Sequence, residues 1–433
     1  MRLFGSSGIR GVAFKEFALD LAMGIGKAVG SEYNGVILGR DARLTGRLFS
    51  GAVSSALMSV GAEVCDAGIV TTPTLAYTAR SRDAGIMITA SHNPPEYNGI
   101  KLWNPDGSSF GTKQMADIEA RLNGDISDAD WKNVGHMTHY GQATDDHKKH
   151  ILSLVEPAEL KVVVDCANGP ASLITPYILD EMGCQVITVN SQLDGRFPGR
   201  PGEPTEENLK ALIGAVIDLN ADLGIAHDGD ADRMVAVDDR GRYAGGDDLL
   251  KVFATETGAR SIAVPVDATM LLDDKFGRSI HRTRVGDVYV SEKIKETGAD
   301  FGGEPSGTWV FPNVSLCPDG IFAAAKLVEI CRDRRLSDII DEMPSLPMMK
   351  ETLRFEAANR DRIQESLERE VSSLKKAEID TTDGVRARFE DGWALIRLSG
   401  TEPKMRITVE AREIKRAEEI METAMEIARR CLH

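Results

Sequence analysis

Short apolar runs alternate along most of the chain with longer segments in which apolar side chains recur every three or four residues. Val36–Leu38 and Gly85–Thr89 have the length and composition of buried strands. Arg47–Val60 carries apolar residues near helical spacing, and Gly61 is placed to end that helix. This alternation of strands and helices predicts an α/β fold.

The same pattern starts again twice. Lys161–Val164 is a predicted strand, followed by a helix at about Ala171–Met182 and a strand at Gln185–Val189, and the pattern restarts at Ser261–Val266. Three short segments that contain Ala, Asp and Gly each lead a strand into an unusual polar loop: Asp83–Ile86, Ala221–Ile225 and Ala299–Gly302. Because ligands bind beyond the carboxyl ends of strands in open α/β sheets, three such loops are expected to enclose one cleft.

The last part of the chain has a different pattern, with more strands than helices. Its predicted strands are Met349–Phe355, Arg386–Phe389, Ala394–Leu398 and Met405–Val409, and its predicted helices are Asp361–Lys375 and Ile414–Arg430. This pattern indicates a smaller α+β domain. A length of 433 residues suggests about three domains at roughly 150 residues each. The pattern divides the chain into four, at residues 1–150, 151–250, 251–346 and 347–433.

Charge and cysteine content narrow the class of protein. The chain has 51 Lys and Arg against 67 Asp and Glu, a net charge of −16, which argues against a nucleic-acid or membrane partner. Any anionic ligand must therefore meet a local cluster of Arg, Lys and backbone N–H groups. The six cysteines are dispersed without a C-x-x-C motif, and the N-terminus lacks the apolar core of a signal peptide. We expect a cytoplasmic protein in a reducing compartment.

The first polar loop contains a candidate nucleophile. Ser91 and His92 follow an apolar strand, and Pro94 and Pro95 close the loop. The prolines fix φ and should hold the preceding residues extended, so that the serine is presented rigidly. His92 or a nearby lysine could help to handle a proton. The alternative is a turn with a structural serine, and the absence of G-x-S-x-G gives no support to acyl-hydrolase chemistry.

The second polar loop carries three carboxylates at alternate positions. Asp228, Asp230 and Asp232 can converge on one hard cation if the loop curls, and Mg²⁺ prefers such oxygen ligands. Arg233 adds a forked phosphate donor at the rim. An EF-hand is rejected, because its sixth and twelfth positions would be Arg233 and Asp239 instead of Gly and Glu. The alternative to a metal site is an acidic surface turn.

The third and fourth loops suit a hydroxyl-rich and an anionic ligand group. In Gly303–Gly307, Glu304 and Ser306 could hydrogen-bond vicinal hydroxyls, although a glycine-rich turn is the simpler explanation for this loop alone. In the fourth loop, two hydroxyls and a glycine lie between arginines and could form an anion nest; its residues are Arg397, Ser399, Gly400, Thr401 and Arg406. A hairpin turn with solvated arginines is the alternative. His147–His150 is predicted to be a solvated helix face.

These four loops, in this order, resemble those of the α-D-phosphohexomutase family of phosphomannomutases, phosphoglucomutases and phosphoglucosamine mutases. The resemblance starts at Gly8-Ile9-Arg10-Gly11 and ends at Ser399–Pro403, so it covers essentially the whole chain. It implies an α/β fold of four domains around a central cleft. The first three would share one topology, and the last would be a smaller α+β domain that closes over the substrate.

The resemblance also implies a reaction. Ser91 would be phosphorylated in the active enzyme, and its phosphoryl group would hold one Mg²⁺ per chain together with the three aspartates of the second loop. Phosphoserine 91 would donate to the free 1- or 6-hydroxyl of a hexose phosphate, give a hexose 1,6-bisphosphate, and take back the other phosphoryl group. The partner would be a small-molecule sugar phosphate, and the protein a monomer or homodimer.

Roles for the other residues follow from the same resemblance. Arg10, Lys101 and Arg233 would flank the reacting phosphoryl group, with Lys101 or Arg10 as the candidate general base. Glu304 and Ser306 would contact sugar hydroxyls. The phosphate that is not transferred would be gripped by Arg397, Ser399, Gly400, Thr401 and Arg406.

The choice of hexose rests on smaller features. Val285-Gly286-Asp287 resembles a stretch of the phosphoglucosamine mutases, and a carboxylate such as Asp287 or Glu304 could suit an ammonium-bearing sugar. Thr308 replaces a histidine common in the family, and Leu398 replaces a proline usual in the glucosamine enzymes. Glucosamine 6-phosphate is the expected substrate, with a phosphomannomutase/phosphoglucomutase as the alternative. Candidates of another class are a metal-dependent sugar phosphatase and a non-catalytic sugar-phosphate sensor.

Overall fold

Four sheets follow one another along the chain in the computed structural model, which describes residues 3–5, 8–372, 374, 377–399 and 403–432. Three are mixed sheets flanked by helices and the last is antiparallel, so the predicted α/β fold with a smaller α+β domain is confirmed. Within the described ranges, no helix is long and apolar enough to cross a membrane.

The first sheet has six strands in the order β1-β5-β4-β2-β3-β6. Its elements are β1 (Ile9–Val12), α1 (Leu19–Gly30), β2 (Gly35–Arg40), α2 (Gly46–Ser59), β3 (Glu63–Ile69), α3 (Thr72–Ala79), β4 (Ala84–Ile88), β5 (Tyr97–Trp103), α4 (Thr112–Leu122), β6 (Met137–His139) and α5 (Ala143–Leu152). The predicted bounds lie within one residue of those of β4 and α2, and the predicted strand Val36–Leu38 lies inside β2. The strand β4 is buried along its whole length and leads directly into the serine loop.

The second sheet has the order β11-β10-β9-β7-β8. Its elements are β7 (Lys161–Asp165), α6 (Thr175–Glu181), β8 (Gln185–Val189), α7 (Lys210–Asp218), β9 (Leu223–His227), β10 (Met234–Asp238), β11 (Tyr243–Ala244) and α8 (Gly246–Glu256). The predicted helix over Ala171–Met182 is wrong as a single element, because a 3₁₀ turn at Pro170–Leu173 precedes α6 and Ile174 between them is not helical. Pro176 has no N–H with which to continue a helix from that turn.

The third sheet has the order β13-β12-β14-β15. Its elements are β12 (Ile262–Pro265), α9 (Leu271–Phe276), β13 (Ile280–Thr283), α10 (Asp287–Thr297), β14 (Phe301–Glu304), β15 (Thr308–Val310), α11 (Gly320–Ile330) and α12 (Leu336–Glu342). All three sheets share one local plan. A central strand (β2, β7 or β12) pairs in parallel with the strand that carries the polar loop (β4, β9 or β14), and an antiparallel strand follows that loop. The three polar loops therefore leave equivalent strand ends.

The last sheet is antiparallel, in the order β16-β20-β19-β18-β17. Its elements are β16 (Met348–Arg354), α13 (Arg360–Ser372), β17 (Glu378–Asp380), β18 (Val385–Arg388), β19 (Gly392–Leu398), β20 (Lys404–Ala411) and α14 (Ile414–Leu432). The helices α13 and α14 cover one face of the sheet. The sequence did not predict β17, because a three-residue edge strand is too short to show a period.

The other face of this sheet packs against the third sheet and fixes the last domain. Trp393 and Leu395 form an apolar cluster with Val266 and Met270. The buried carboxylate of Glu410 accepts hydrogen bonds from Trp393 Nε1 at 2.9 Å and from the Met270 N–H at 2.7 Å. Both donors would be unsatisfied without that carboxylate, so the contact ties the two domains together.

Candidate active site

Ser91 lies just beyond β4 in a buried, tightly turned loop. Its backbone has a left-handed φ of +49°, and its side chain is almost fully buried. The expectation that the prolines hold Ser91 extended is therefore wrong. The Ser91 N–H donates to Thr89 Oγ1 at 2.9 Å and the Asn93 N–H to the Ala90 carbonyl at 3.0 Å, which closes a turn instead. A non-glycine residue in this conformation is held there by its surroundings.

The serine hydroxyl meets the acidic loop of the second sheet. Ser91 Oγ donates to Asp228 Oδ2 at 2.6 Å. The two backbones also approach closely, because a Cβ placed on Gly229 would lie 2.5 Å from the Ser91 carbonyl oxygen. Glycine is required at this contact, since a side chain would push the two loops apart.

The three aspartates converge as the alternate spacing suggests. One carboxylate oxygen from each of Asp228, Asp230 and Asp232 lies within 4.8 Å of the others, and all three residues are buried. Asp230 Oδ1 and Asp232 Oδ1 are buried without a hydrogen-bond partner among the residues that the structure describes. Buried polar atoms are normally paired, so these oxygens fit a hard divalent cation as their partner.

Residues from the first sheet hold the acidic loop in place. Asp230 Oδ2 accepts from Thr72 Oγ1 at 2.6 Å, from Lys101 Nζ at 2.9 Å and from Thr89 Oγ1 at 3.2 Å. Lys101 Nζ also donates to Asp232 Oδ2 at 2.5 Å. Lys101 is therefore a cation shared by two carboxylates, and it joins the two sheets electrostatically.

The buried charges of this cluster shift pKa values in opposite directions. Burial, followed by the charges of Asp232 and Asp230, raises the pKa of Asp228 well above its usual range. Burial acts on Asp230 too, but the ammonium of Lys101 and the hydrogen bonds from Thr72 and Lys101 outweigh it and lower the pKa of that carboxyl. Burial opposes the charge of Lys101, yet its two carboxylate partners raise the pKa of the ammonium. These contacts favour Lys101 as a charge-neutralising group over a proton acceptor.

The remaining predicted catalytic residues surround the serine. Arg10 donates to Asn93 Oδ1 at 3.2 Å, on the serine loop. The Arg233 N–H donates to Asp228 Oδ1 at 3.2 Å, and its buried guanidinium Nε has no hydrogen-bond partner among the described residues. His92 Nδ1 lies 3.3 Å from Ser91 Oγ, and burial together with the charges of Arg233 and Arg10 lowers the pKa of His92 to about 2. His92 is therefore neutral near the serine.

The third loop folds onto the Val285-Gly286-Asp287 stretch. Glu304 Oε1 accepts from the Gly286 N–H at 2.6 Å, and Glu304 Oε2 accepts from Thr308 Oγ1 at 3.0 Å. Burial, followed by the charges of Asp287 and Asp267, raises the pKa of Glu304 to about 7. Ser306 is exposed beside it. Thr308, which stands where the family commonly has a histidine, thus orients the carboxylate of Glu304.

The third loop also joins the metal loop. The Met234 N–H donates to the Gly307 carbonyl at 2.9 Å, and Arg233 forms a backbone bridge with Thr308. The first, second and third polar loops are therefore connected through direct contacts, as the repeated pattern predicts.

The fourth loop is described in part. Gly400 and Thr401 lie outside the described residues, and Ser399 is buried. Arg397 and Arg406 are direct partners across β19 and β20. Arg397 Nη1 contacts Asp383 Oδ2 at 3.0 Å, and the same oxygen accepts from the Val285 N–H at 3.0 Å. Asp383 thus places the arginine pair against the Val285-Gly286-Asp287 stretch.

Sequence reasoning missed residues whose partners are far away along the chain. Thr72 and Asp383 are among them. The only local signal was the Thr-Pro sequence, which marks Thr72 as the start of a helix. The predicted solvated face over His147–His150 is wrong at His147, which is fully buried. His147 Nε2 lies 3.1 Å from Asp319 Oδ2 and its Nδ1 lies 3.0 Å from Thr74 Oγ1. The burial of His147 depends on side chains from two other parts of the fold, and the periodicity of its own helix does not reveal such contacts.

Family models match the chain along most of its length. Residues 1–128, 140–241 and 246–346 match the phosphoglucomutase/phosphomannomutase alpha/beta/alpha domains I, II and III, and residues 353–427 match the C-terminal domain of that family.

Individual relatives agree with the family models. The chain is 49% identical over 434 residues to a probable phosphoglucosamine mutase of Methanocella arvoryzae, covering 100% of this chain and 99% of that protein. It is 42% identical over 444 residues to a phosphoglucosamine mutase of Methanococcus maripaludis, covering 99% of each. A phosphoglucomutase/phosphomannomutase family protein from Burkholderia thailandensis has a similar structure, with a TM-score of 0.89 and 28% identity over 99% of this chain and 97% of that one.

The aspartate cluster generates a prediction about metal binding. Asp230→Asn keeps the shape of the side chain but removes one of the negative charges that face a cation. We expect Mg²⁺ affinity to fall at least about tenfold, measured by isothermal titration calorimetry. Asp341→Asn, on the exposed end of α12, is the control and should bind as the unaltered protein does. Equal affinity in Asp230→Asn would show that the cluster is not a metal site.

Proposed function

The chain belongs to the phosphoglucomutase/phosphomannomutase family, and we propose that it interconverts hexose 6-phosphate and hexose 1-phosphate, with Ser91 carrying the phosphoryl group. Such an enzyme is an isomerase that works by phosphoryl transfer. The observation that carries the proposal is the 2.6 Å contact between Ser91 Oγ and Asp228 across two sheets. A hydroxyl next to convergent carboxylates and flanking cations is what phosphoryl transfer to and from a serine needs.

The proposed reaction has two transfers through the same oxygen. Phosphoserine 91 gives its phosphoryl group to the free hydroxyl of the bound hexose phosphate, so that the bond to Ser91 Oγ breaks and a hexose 1,6-bisphosphate forms. The sugar then turns within the cleft. Ser91 Oγ takes the other phosphoryl group and restores the phosphoserine. Each transfer leaves the number of phosphoryl groups unchanged.

Charge neutralisation at the reacting group comes from several side chains. Arg10, Lys101 and Arg233 are cations that contact side chains of the serine loop and the acidic loop. Asp228 and its two neighbouring aspartates would hold Mg²⁺ together with the phosphoserine. When bound, that ion would neutralise negative charge on the phosphoryl oxygens. The fixed cations keep their positions in both transfers, which avoids reorganisation during the reaction.

The rest of the substrate is proposed to lie between the third and fourth loops. Glu304, which accepts from the Gly286 N–H, and the exposed Ser306 would hydrogen-bond sugar hydroxyls. The arginine pair Arg397 and Arg406 would hold the phosphate that is not transferred, together with Ser399, Gly400 and Thr401. The domain boundaries that we propose lie near residues 150, 250 and 346.

Glucosamine 6-phosphate is the substrate that we propose. Relatives named phosphoglucosamine mutase are 42–49% identical to this chain over 95–100% of its length. Asp287 is buried next to Glu304, and a carboxylate at this place would suit an ammonium group on the sugar. A phosphomannomutase/phosphoglucomutase remains the alternative within the same family.

The nucleophile assignment can be tested by substitution. Ser91→Ala should lower kcat by at least roughly 10⁴-fold and leave sugar-phosphate binding largely intact, because it removes only the phosphoryl acceptor. With ³²P-labelled hexose 1,6-bisphosphate, the unaltered enzyme should yield acid-stable phosphoserine at position 91. Ser55→Ala, on the exposed face of α2, is the control. Label in an acid-labile acyl phosphate, or full turnover by Ser91→Ala, would contradict the assignment.

A comparison of substrates tests the choice of hexose. Glucosamine, glucose and mannose 6-phosphates are each supplied with a trace of the matching 1,6-bisphosphate, and kcat/KM is ranked. We expect glucosamine 6-phosphate to be preferred by about tenfold or more, an energy of ~1.4 kcal/mol. Asp287→Asn should narrow this preference. A preference for mannose or glucose 6-phosphate would favour the alternative enzyme.

A further inference from the structure

A buried guanidinium lies directly behind the serine loop. Arg43 is 1% exposed. Its Nη2 donates to the carbonyl oxygens of Ser91 at 2.8 Å and Asn93 at 2.6 Å, and its Nη1 donates to those of Pro94 at 2.6 Å and Tyr97 at 2.9 Å. Both terminal nitrogens of the guanidinium therefore donate hydrogen bonds to the backbone of the nucleophile loop. Lysine could not reproduce this, because it lacks the planar, fixed set of donors.

The arginine is itself fixed by a buried carboxylate. Arg43 Nε contacts Asp41 Oδ2 at 3.1 Å, and the Arg43 N–H donates to Asp41 Oδ1 at 2.9 Å. Asp41 Oδ2 also accepts from Thr89 Oγ1 at 2.7 Å, and Thr89 in turn receives the Ser91 N–H. Ser91 is thus held from both its N–H and its carbonyl group by one connected set of side chains.

The second sheet repeats this device at the equivalent place. Asp165 ends β7, as Asp41 follows β2, and both strands are central in their sheets. Arg200 is 6% exposed, and its Nε contacts Asp165 Oδ2 at 2.9 Å. Arg200 Nη2 donates to the carbonyl oxygen of His227 at 2.5 Å, and His227 is the residue before Asp228. This arginine therefore holds the start of the metal loop.

The third sheet uses an arginine differently. Asp267 lies just beyond β12, the equivalent strand, and its Oδ1 is buried without a hydrogen-bond partner among the residues that the structure describes. Arg282 pairs with Asp273 at 2.6 Å and donates to the carbonyl oxygens of Pro265 and Ala268, at the end of β12 and just after it, not to the polar loop after β14. An arginine–aspartate pair thus holds the polar loop only in the two sheets, among the residues that the structure describes, whose loops must meet at the serine and the first metal ligand.

We propose that Arg43 and Arg200 are positioning residues for phosphoryl transfer, an inference that rests on the proposed function. Arg43 fixes the backbone on both sides of the nucleophile, and Arg200 fixes the backbone before the first metal ligand. Together they keep Ser91 Oγ within reach of Asp228. A shift of about 1 Å in either loop would misalign the transfer, and such a shift costs roughly 100-fold in rate.

Lysine substitutions separate positioning from the mere presence of charge. Arg43→Lys keeps a cation beside Asp41 but loses most of the bonds to the four carbonyls. We expect kcat to fall about 100-fold, with KM for glucosamine 6-phosphate within about twofold of the unaltered enzyme, because Arg43 touches no substrate group. Arg200→Lys should weaken Mg²⁺ binding about tenfold in titration calorimetry. Arg240→Lys, whose half-exposed arginine pairs with the exposed carboxylates of Asp338 and Asp341, is the control and should change neither quantity.

The remaining outcomes also decide the question. If Arg43→Lys does not fold, the double variant Asp41→Asn/Arg43→Gln removes both charges together and should show the same fall in kcat. Folded variants with unaltered kcat and Mg²⁺ affinity would overturn the proposal. Loss of folding in every variant would overturn it as well, since the pairs would then serve stability alone. An unaltered protein without mutase activity would count against the proposed function, while the Mg²⁺ titration of Arg200→Lys would still test the positioning role.

Discussion

The contact between the Ser91 hydroxyl and the Asp228 carboxylate is the constraint on which the rest of the structure depends. It joins loops from two different sheets at 2.6 Å. Gly229 is needed for the close approach of the two backbones. Thr72 and Lys101 from the first domain donate hydrogen bonds to Asp230, which lies in the same loop as Asp228. The contact between the first two domains is therefore built around the Ser91 hydroxyl and the acidic loop, and the packing of those domains sets the geometry of the site.

This constraint has an electrostatic cost. Several carboxylates are buried together, and the penalty for burying an ion is roughly several kcal/mol even after relaxation. Lys101 offsets part of it by contacting Asp230 and Asp232, while one further oxygen on each of these two residues is buried without a hydrogen-bond partner among the described residues. A divalent cation would supply the missing partner. Outside this cluster the protein is strongly acidic, so the cations at the site act locally.

The sequence predicted the fold and the polar loops well because both are local features. Buried strands such as β4 and β8 show in short apolar runs, and Asp228, Asp230 and Asp232 show in a single stretch of sequence. Residues whose role depends on distant partners did not show. Arg43 and Arg200 resemble ordinary loop arginines, and His147 resembles a surface histidine, until the sheets bring their partners together. The break before α6 does not show in the spacing of apolar residues, and only Pro176 marks it in the sequence.

The most direct test of the central claim is the distance between the phosphoserine phosphorus and a metal held by the aspartates. Mn²⁺ can replace Mg²⁺ in the phosphorylated protein, and electron–nuclear double resonance then measures the coupling between the metal and ³¹P. The account predicts one Mn²⁺ per chain with a resolved ³¹P coupling from phosphoserine 91. A protein that is phosphorylated at Ser91 and binds one Mn²⁺ without such a coupling would contradict it.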